Sequence, residues 1–447
     1  MVGLQPGTGF GRAVLAGAAA VVVALLAASP AAANGRIPEA NQLVVSEEDP
    51  NLLLLRVTFG ILVSHDAGTT WDWICESAAG YGGTQDPSVA ILAGGHLVAG
   101  IYEGLLASPD TGCSWSAAPE LGGMLVVDVA ARPGATSEAV AVTNLYARTD
   151  DGGTPLYDSR VYRTTNAGGT WGVAGPALPP SVIVDTVELA RSNPLRLVVS
   201  GKQPGAVAKG VLYVSDDGGQ SYATRDVPFE PGENGAYVAA IDPKNAERIY
   251  VRTLGTGDGG LQSRLLVTDD AGRSFTERWR GGALLGFALS PDGSRVYLGT
   301  ETDGLFAGDT TTFAFVKRQS LIVRCLATKG DRLYACSSQS ADGLGFALGA
   351  STDDGVSFAP LLRLADLRGP LACPKGTSTA KCAAEWPALA STLGIPLTTP
   401  DAGVEAAGPV ARGGCACESA PARDAAWPSA LLAAALALVV RTWRKRR

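Results

Sequence analysis

The chain has 447 residues, 46% of them hydrophobic and 18% charged, with a formal net charge of −7, eight cysteines and only two histidines. Removing the single arginine of the first 33 residues and the net +4 of the last 33 from the overall −7 leaves −12 for residues 34–414. An acidic exterior of that size repels phosphate backbones, and no basic stripe interleaved with aromatics is present, so nucleic acid is excluded as a partner.

The N-terminus carries Arg12, an apolar run over residues 13–28 and then SPAAAN, in which Ala31 and Ala33 fit a small-x-small cleavage site. Residues 1–33 therefore read as a secretory signal peptide. From residue 36 three short apolar strands follow, NQLVVS, NLLLLRVT and FGILVS, broken by Glu-Asp-Pro-Asn and Phe-Gly turns. The same order returns as YVAAID, RIYVRTL and SRLLVT, and again as IVRCLAT, RLYACSS and GFALGAS, which predicts strands joined by tight turns and excludes helical repeats.

Each trio of strands runs into one eight-residue pattern, Ser/Thr-x-Asp/Asn-x-Gly-x-Ser/Thr-aromatic. It occurs at residues 64–71 (SHDAGTTW), 108–115 (SPDTGCSW), 164–171 (TTNAGGTW), 215–222 (SDDGGQSY), 268–275 (TDDAGRSF) and 351–358 (STDDGVSF). A degraded copy, GDTTTFAF at residues 308–315, has lost its glycine. The pattern is a backbone device. Asp66, Asp110, Asn166, Asp217, Asp270 and Asp353 can accept N–H bonds from the residues just after them. Gly68, Gly112, Gly168, Gly219, Gly272 and Gly355 supply a backbone angle other residues resist. Ser64, Ser108, Thr164, Ser215, Thr268 and Ser351 add side-chain-to-backbone bonds. Trp71, Trp115, Trp171, Tyr222, Phe275 and Phe358 open the next strand and point into a core. The copies recur at intervals of roughly 39 to 56 residues, which fits a four-stranded unit. Residues 36–367 thus predict an all-β fold, a seven-bladed β-propeller of about 47 residues per blade.

Cysteine usage points to an oxidising destination. Cys325 and Cys336 flank a Gly330-Asp331 turn at equal distances and should face each other across a hairpin. Cys373 and Cys382 close the short loop CPKGTSTAKC in an extension over residues 368–390, expected as a small cap on the ring's rim. Cys75 and Cys113 are then expected to tie neighbouring blades together. Zinc is the rival explanation, but no Cys-x2-Cys pair occurs and the two histidines are His65 and His96, so no metal or cofactor site is expected.

Residues 391–414, rich in Pro, Gly, Ala and Thr, read as a flexible stalk. Residues 415–447 contain an uncharged run over 425–440 ending in RTWRKRR. At 1.5 Å per residue that run reaches about 24 Å, a short transmembrane helix against a ~30 Å hydrocarbon core, which Trp427, Trp443 and snorkelling arginines could extend.

The repeated pattern resembles the Asp box, or BNR repeat, of sialidases, sortilins, xyloglucanases and photosystem II assembly factors. That resemblance implies propeller blades whose box joins the third and fourth strands and faces away from the functional surface. The tail, with Gly-Gly-Cys-Ala-Cys ahead of an apolar run and an arginine cluster, resembles the MYXO-CTERM type of sorting tail. By that resemblance it is cut near Cys415, with Cys417 as second candidate, and the new end is held at the cell surface; an ordinary reactive or disulfide pair is the alternative for these two.

Gly35-Arg36-Ile37-Pro38 echoes the Arg-Ile-Pro motif of sialidases, whose arginine belongs to a carboxylate-binding triad working with a Tyr nucleophile, its Glu partner and an Asp acid/base. The chain departs from that pattern: the aromatic before the motif is replaced by Gly35, seven blades are expected where sialidases have six, and two arginines of the triad have no assigned place. A xyloglucanase needs two propellers facing each other, and a Ser-His-Asp triad would have to use His65 or His96, both better read as surface residues. Acidic turns at 149–153 and 256–260 lack the carboxylate density of a calcium loop. The reading that leads is a secreted, surface-held monomer that binds a protein, peptide or glycan without catalysis, with a sialidase-like exo-glycosidase as the alternative. Its membrane contact would be the tail. Binding residues are sought in the insertions at 132–159 and 201–209, and at Asp128, Glu188, Asp242 and Arg324, which interrupt apolar inner strands.

Overall fold

Seven antiparallel sheets of four strands each, taken strictly in chain order, make up the computed structural model, which describes residues 36–397 except 206, 258, 259 and 340–344. The expected signal peptide, the sorting tail with Cys415, the transmembrane helix and all but the first residues of the stalk lie outside the described residues. No described helix is long and apolar enough to cross a membrane.

The first strand of each sheet lines the ring: Ala40–Val45, Ser88–Leu92, Leu125–Ala131, Ile183–Leu189, Glu233–Ile241, Leu284–Leu289 and Val323–Lys329 in blades 1 to 7. Successive first strands pack side by side, and the seventh returns to the first. The second and third strands are the most apolar, as in Leu53–Val57 and Gly60–Ser64, because both of their faces are covered by neighbouring blades.

The eight-residue turns all join third to fourth strands, so they share one face of the ring. In all six clear copies the hydroxyl donates to the Asp or Asn side chain at 2.7–3.0 Å. The same hydroxyl accepts the glycine N–H at 2.8–3.1 Å. The Asp or Asn oxygen in turn accepts the N–H four residues on at 2.7–3.0 Å. Not only the glycine is left-handed: the residue before it is too, with φ of 57° at Ala67, 56° at Thr111 and 65° at Asp354. In the degraded copy Asp309 caps Thr311 N–H and Thr312 N–H instead, and Phe313 takes the left-handed conformation (φ 53°). Blade 6 keeps its four strands by this different bend.

A polar belt runs around part of the inner ring at one register position. Gln42 exchanges two hydrogen bonds with the Val89 backbone, Ser88 Oγ accepts Val129 N–H, Asp128 accepts Val187 N–H, and Thr186 Oγ1 accepts Val238 N–H. Each link satisfies an inner-edge donor of the next blade. At the same register blades 5, 6 and 7 present Tyr237, Gly286 and Cys325, and no described link of this kind continues the belt there.

The seam between blades 7 and 1 is closed by other means. After the last strand of blade 7, Ala359–Leu362, the chain lays residues 369–371 parallel to the outer strand of blade 1, Asp72–Ile74. Trp73 N–H donates to Gly369 O and Leu371 N–H to Trp73 O, both at 2.8 Å, and Arg368 pairs with Asp72. The helix α1, Cys382–Leu393, then packs Trp386, Leu389 and Leu393 on a core that is continuous through blades 7, 1 and 2. It runs three residues into the stretch expected as a stalk.

Two expected disulfides are corrected. Cys75 bonds to Cys382 and Cys113 to Cys373, in place of Cys75–Cys113 and Cys373–Cys382. Because the extension lies across blades 1 and 2 as a strap, each of its cysteines meets a different blade before it meets the other. Cys325–Cys336 bridges the blade 7 hairpin as the turn symmetry requires.

Candidate functional site

The ring has two faces, and among the described residues they differ in what crosses the axis. On the face bearing the eight-residue turns, Glu47 pairs with Arg191 of blade 4 and accepts Gly134 N–H of blade 3 at 2.7 Å, while its carbonyl accepts Lys329 Nζ of blade 7. Glu48 accepts Gly94 N–H of blade 2 and Thr136 Oγ1 of blade 3. A loop of blade 1 that touches blades 7, 3 and 4 at once lies near the ring axis, so it covers the channel at this end. The opposite face, where strands 2 and 3 turn and where one blade passes to the next, is the mouth.

At the mouth a shallow, solvent-open cleft of about 210 Å³ lies between blades 2 and 3, lined by Gln85, Asp86, Pro87, Ile101, Tyr102 and Val127 among others. It is mainly apolar with a few polar groups, the usual composition of a ligand site. Tyr102 stands 55% exposed at its edge, and its backbone N–H donates to Gln85 Oε1 at 3.0 Å. Gly100 is part of the wall and packs so closely on Val126 that a β-carbon there would reach Val126 Cγ1 at 2.6 Å. Asp86 is fixed from blade 1: Arg36 Nη2 donates to its carboxylate at 2.6 Å, and Arg56 Nη1 donates to the carbonyls of Asp86 and Pro87 at 3.2 and 3.1 Å. Burial lowers the Arg56 pKa, and the negative charge of Asp86 works against that. Behind the arginines sits Tyr81, buried, its hydroxyl without a hydrogen-bond partner among the described residues. Burial, then the charge of Glu76, raises its pKa.

The residues expected to interrupt the inner strands have separate fates. Asp128 belongs to the belt, holding Ser88 Oγ at 2.7 Å and the N–H groups of Val129 and Val187 at 3.0 Å. Burial nevertheless raises its pKa. Glu188 is half-buried, and desolvation followed by repulsion from Asp128 pushes its carboxyl up to about 8. Asp242 caps a turn through Lys244 and Asn245 N–H. Arg324 bridges Glu39 at 3.1 Å and Glu301 at 2.9 Å, and Arg252 lies 4.6 Å over the Tyr237 ring. So Arg36 and Arg56 come together beside Tyr81 and Glu76, while Arg324 and Arg252 are engaged elsewhere on the ring.

Of the two insertions, residues 132–159 contribute a hairpin, Ala139–Thr149 with Pro155–Thr164, whose Asp150 caps Gly152 and Thr154 N–H. His65 is exposed, and His96 Nδ1 contacts Ala167 O at 3.0 Å, joining blades 2 and 3. Among the described residues no group of three or more His, Cys, Asp or Glu could hold a metal ion. The cleft itself is assembled from three short segments, one in the connection from blade 1 to blade 2, one in blade 2 and one in blade 3. The sequence signals it only weakly, by an exposed Tyr in the Tyr102-Glu103-Gly104 turn and by the glycines around Tyr81.

No protein-family model matches the chain. Over 99 residues it is 32% identical to vacuolar protein sorting/targeting protein 10 of Candida albicans (strain WO-1), a stretch that is 21% of this chain and 6% of that protein. Among solved structures it is similar to a GH74 xyloglucanase from Xanthomonas campestris (TM-score 0.34, 16% identity, 71% of this chain and 64% of that one). It is also similar to the Cps50 (Swd1) β-propeller domain of Myceliophteria thermophila (TM-score 0.44, 10% identity, 68% of this chain and 94% of that one).

Proposed function

We propose that the protein is an exported, non-catalytic binding module of the Asp-box propeller type, which takes a protein, peptide or glycan ligand in the cleft between blades 2 and 3. The observation that carries this reading is the cleft: an apolar trough with an exposed Tyr102 and an Asp86 carboxylate already held in place by Arg36. Fixed polar groups beside an apolar wall give orientation without an ordering cost on binding. The three disulfides support an extracellular or lumenal location. The local likeness to a vacuolar sorting protein supports a polypeptide ligand. Anchoring through Cys415 after cleavage of the tail is part of the same proposal.

The test is binding of residues 34–397, produced in an oxidising compartment, to peptide and glycan arrays. Tyr102→Ala and Asp86→Asn should each weaken the captured ligand by roughly tenfold or more, the scale of a lost anchor contact. Unchanged affinity in both variants overturns the site. The sialidase-like alternative rests on the grouping of Arg36, Arg56, Tyr81 and Glu76; hydrolysis of a fluorogenic sialoside that disappears in Arg36→Ala would favour it over pure binding.

A further inference from the structure

The strap reaches the mouth as well as the seam. Cys75 follows the outer strand of blade 1 and begins the connection to blade 2, whose residues 75–87 include Tyr81 and the Gln85-Asp86-Pro87 wall of the cleft. The strap holds the Cys75 end of that connection at two points, the Cys75–Cys382 bridge and Ser77 Oγ, which donates to Glu385 of α1 at 2.5 Å, while Arg36 and Arg56 hold its Asp86 end. Inside it, Ala78 N–H donates to Cys75 O and Tyr81 N–H to Glu76 O, so a shift of Cys75 is passed along the loop. The Trp73 and Trp386 rings, 5.9 Å apart, complete the contact.

The two strap bridges differ in access. Cys75 and Cys382 are both fully buried, whereas Cys113 and Cys373 are half-buried at the surface turn of blade 2. Thiol–disulfide exchange requires a thiolate to reach sulfur in line, so access sets the order of opening.

We propose that the strap is a two-step redox latch on the cleft: an external dithiol opens Cys113–Cys373 first and Cys75–Cys382 second, and only the second step frees the 75–87 connection. In each step a thiolate of the dithiol attacks one sulfur and expels the other as a thiolate. The second thiol of the reagent then resolves the mixed disulfide, leaving two cysteine thiols and an oxidised cyclic dithiol. The first step leaves the cleft intact because Thr379 still donates to Cys113 O and Gly112 O, which keeps the strap seated on blade 2. Regulation of ligand binding by this latch rests on the binding reading above; the opening order does not.

The experiment is a dithiothreitol titration of the folded chain, with trapped thiols identified by mass spectrometry and amide hydrogen exchange followed in parallel. Cys113 and Cys373 should be trapped at a dithiothreitol concentration at least tenfold below that needed for Cys75 and Cys382. Exchange over residues 75–87 should rise only with the second pair, while Leu197–Gln203 in blade 4 stays protected. Cys113→Ser/Cys373→Ser should leave residues 75–87 as protected as in the parent chain, and Cys75→Ser/Cys382→Ser should expose them without reductant. Simultaneous or reversed opening, an unchanged 75–87 segment after full reduction, or exchange that rises equally in blade 4 each overturns the latch. None of these readouts uses a ligand, so loss of the cleft as a binding site would leave them standing.

Discussion

Blades 1 to 5 and the seam between blades 7 and 1 solve the same problem with different chemistry. In the first region each inner strand hands one side-chain acceptor to the next, through Gln42, Ser88, Asp128 and Thr186, and every link repeats because the blades repeat. At the seam the repeat ends, and closure falls to a strap of two disulfides, one short parallel strand pairing and an apolar helix. The difference is that the belt joins only blades 1 to 5, whereas at the seam the strap adds covalent bonds to the packing of the first strands and the Arg324–Glu39 pair. A strap that closes loops of 307 and 260 residues acts chiefly by limiting the unfolded chain.

The strap is where the two regions are most readily told apart. Replacing all four strap cysteines by alanine should lower unfolding free energy by about 2–5 kcal/mol per bridge, read from the denaturant midpoint under non-reducing conditions. Equal stability with and without the bridges would show that the apolar helix suffices. The blade 2 turn comes next. Gly112→Ala puts a side chain at φ 101° and a new β-carbon against Ile74 Cδ1, at a cost of about 1–3 kcal/mol by thermal unfolding. Asp128→Ala tests the belt. It leaves Val187 N–H and Ser88 O–H without their acceptor, a loss of about 1–3 kcal/mol if the belt bears on stability.

The smallest effect is a change of slope with pH. Glu188 has its pKa raised to about 8, so its folded form holds a proton more tightly than the unfolded chain. Its contribution is therefore fully present below the ordinary glutamate range, near 4.5, and is lost as pH rises through about 8. Glu188→Gln should flatten the decline in stability between those limits. Asp217, Asp270 and Asp353 run the other way, since hydroxyl and N–H donors hold them near 2. Their contribution is present above the ordinary aspartate range and lost as pH falls through about 2, and the glutamine variant should leave that acid limb untouched.

Much of this ring is legible in the sequence because the turns are local. Ser64, Asp66 and Gly68 meet within five residues, so their pattern fixes where strands three and four join whatever surrounds them. The Cys325–Cys336 pair is readable for the same reason, since one hairpin sets its register. What the sequence does not disclose is non-local. Cys373 and Cys382 sit nine positions apart, and only the route of the strap over two blades sends them to Cys113 and Cys75. Asp128 reads as a binding candidate until the neighbouring strand supplies Val187 N–H, and the cleft joins segments around Asp86, Tyr102 and Val127 that no spacing relates.

Disulfide mapping of the unreduced protein by peptide mass spectrometry tests most directly how the ring is closed. Linked peptides joining Cys75 to Cys382, Cys113 to Cys373 and Cys325 to Cys336 are the predicted result. Recovery of Cys75 linked to Cys113, with Cys373 linked to Cys382, would contradict it, because the extension would then be a self-closed loop and the seam would have no covalent strap.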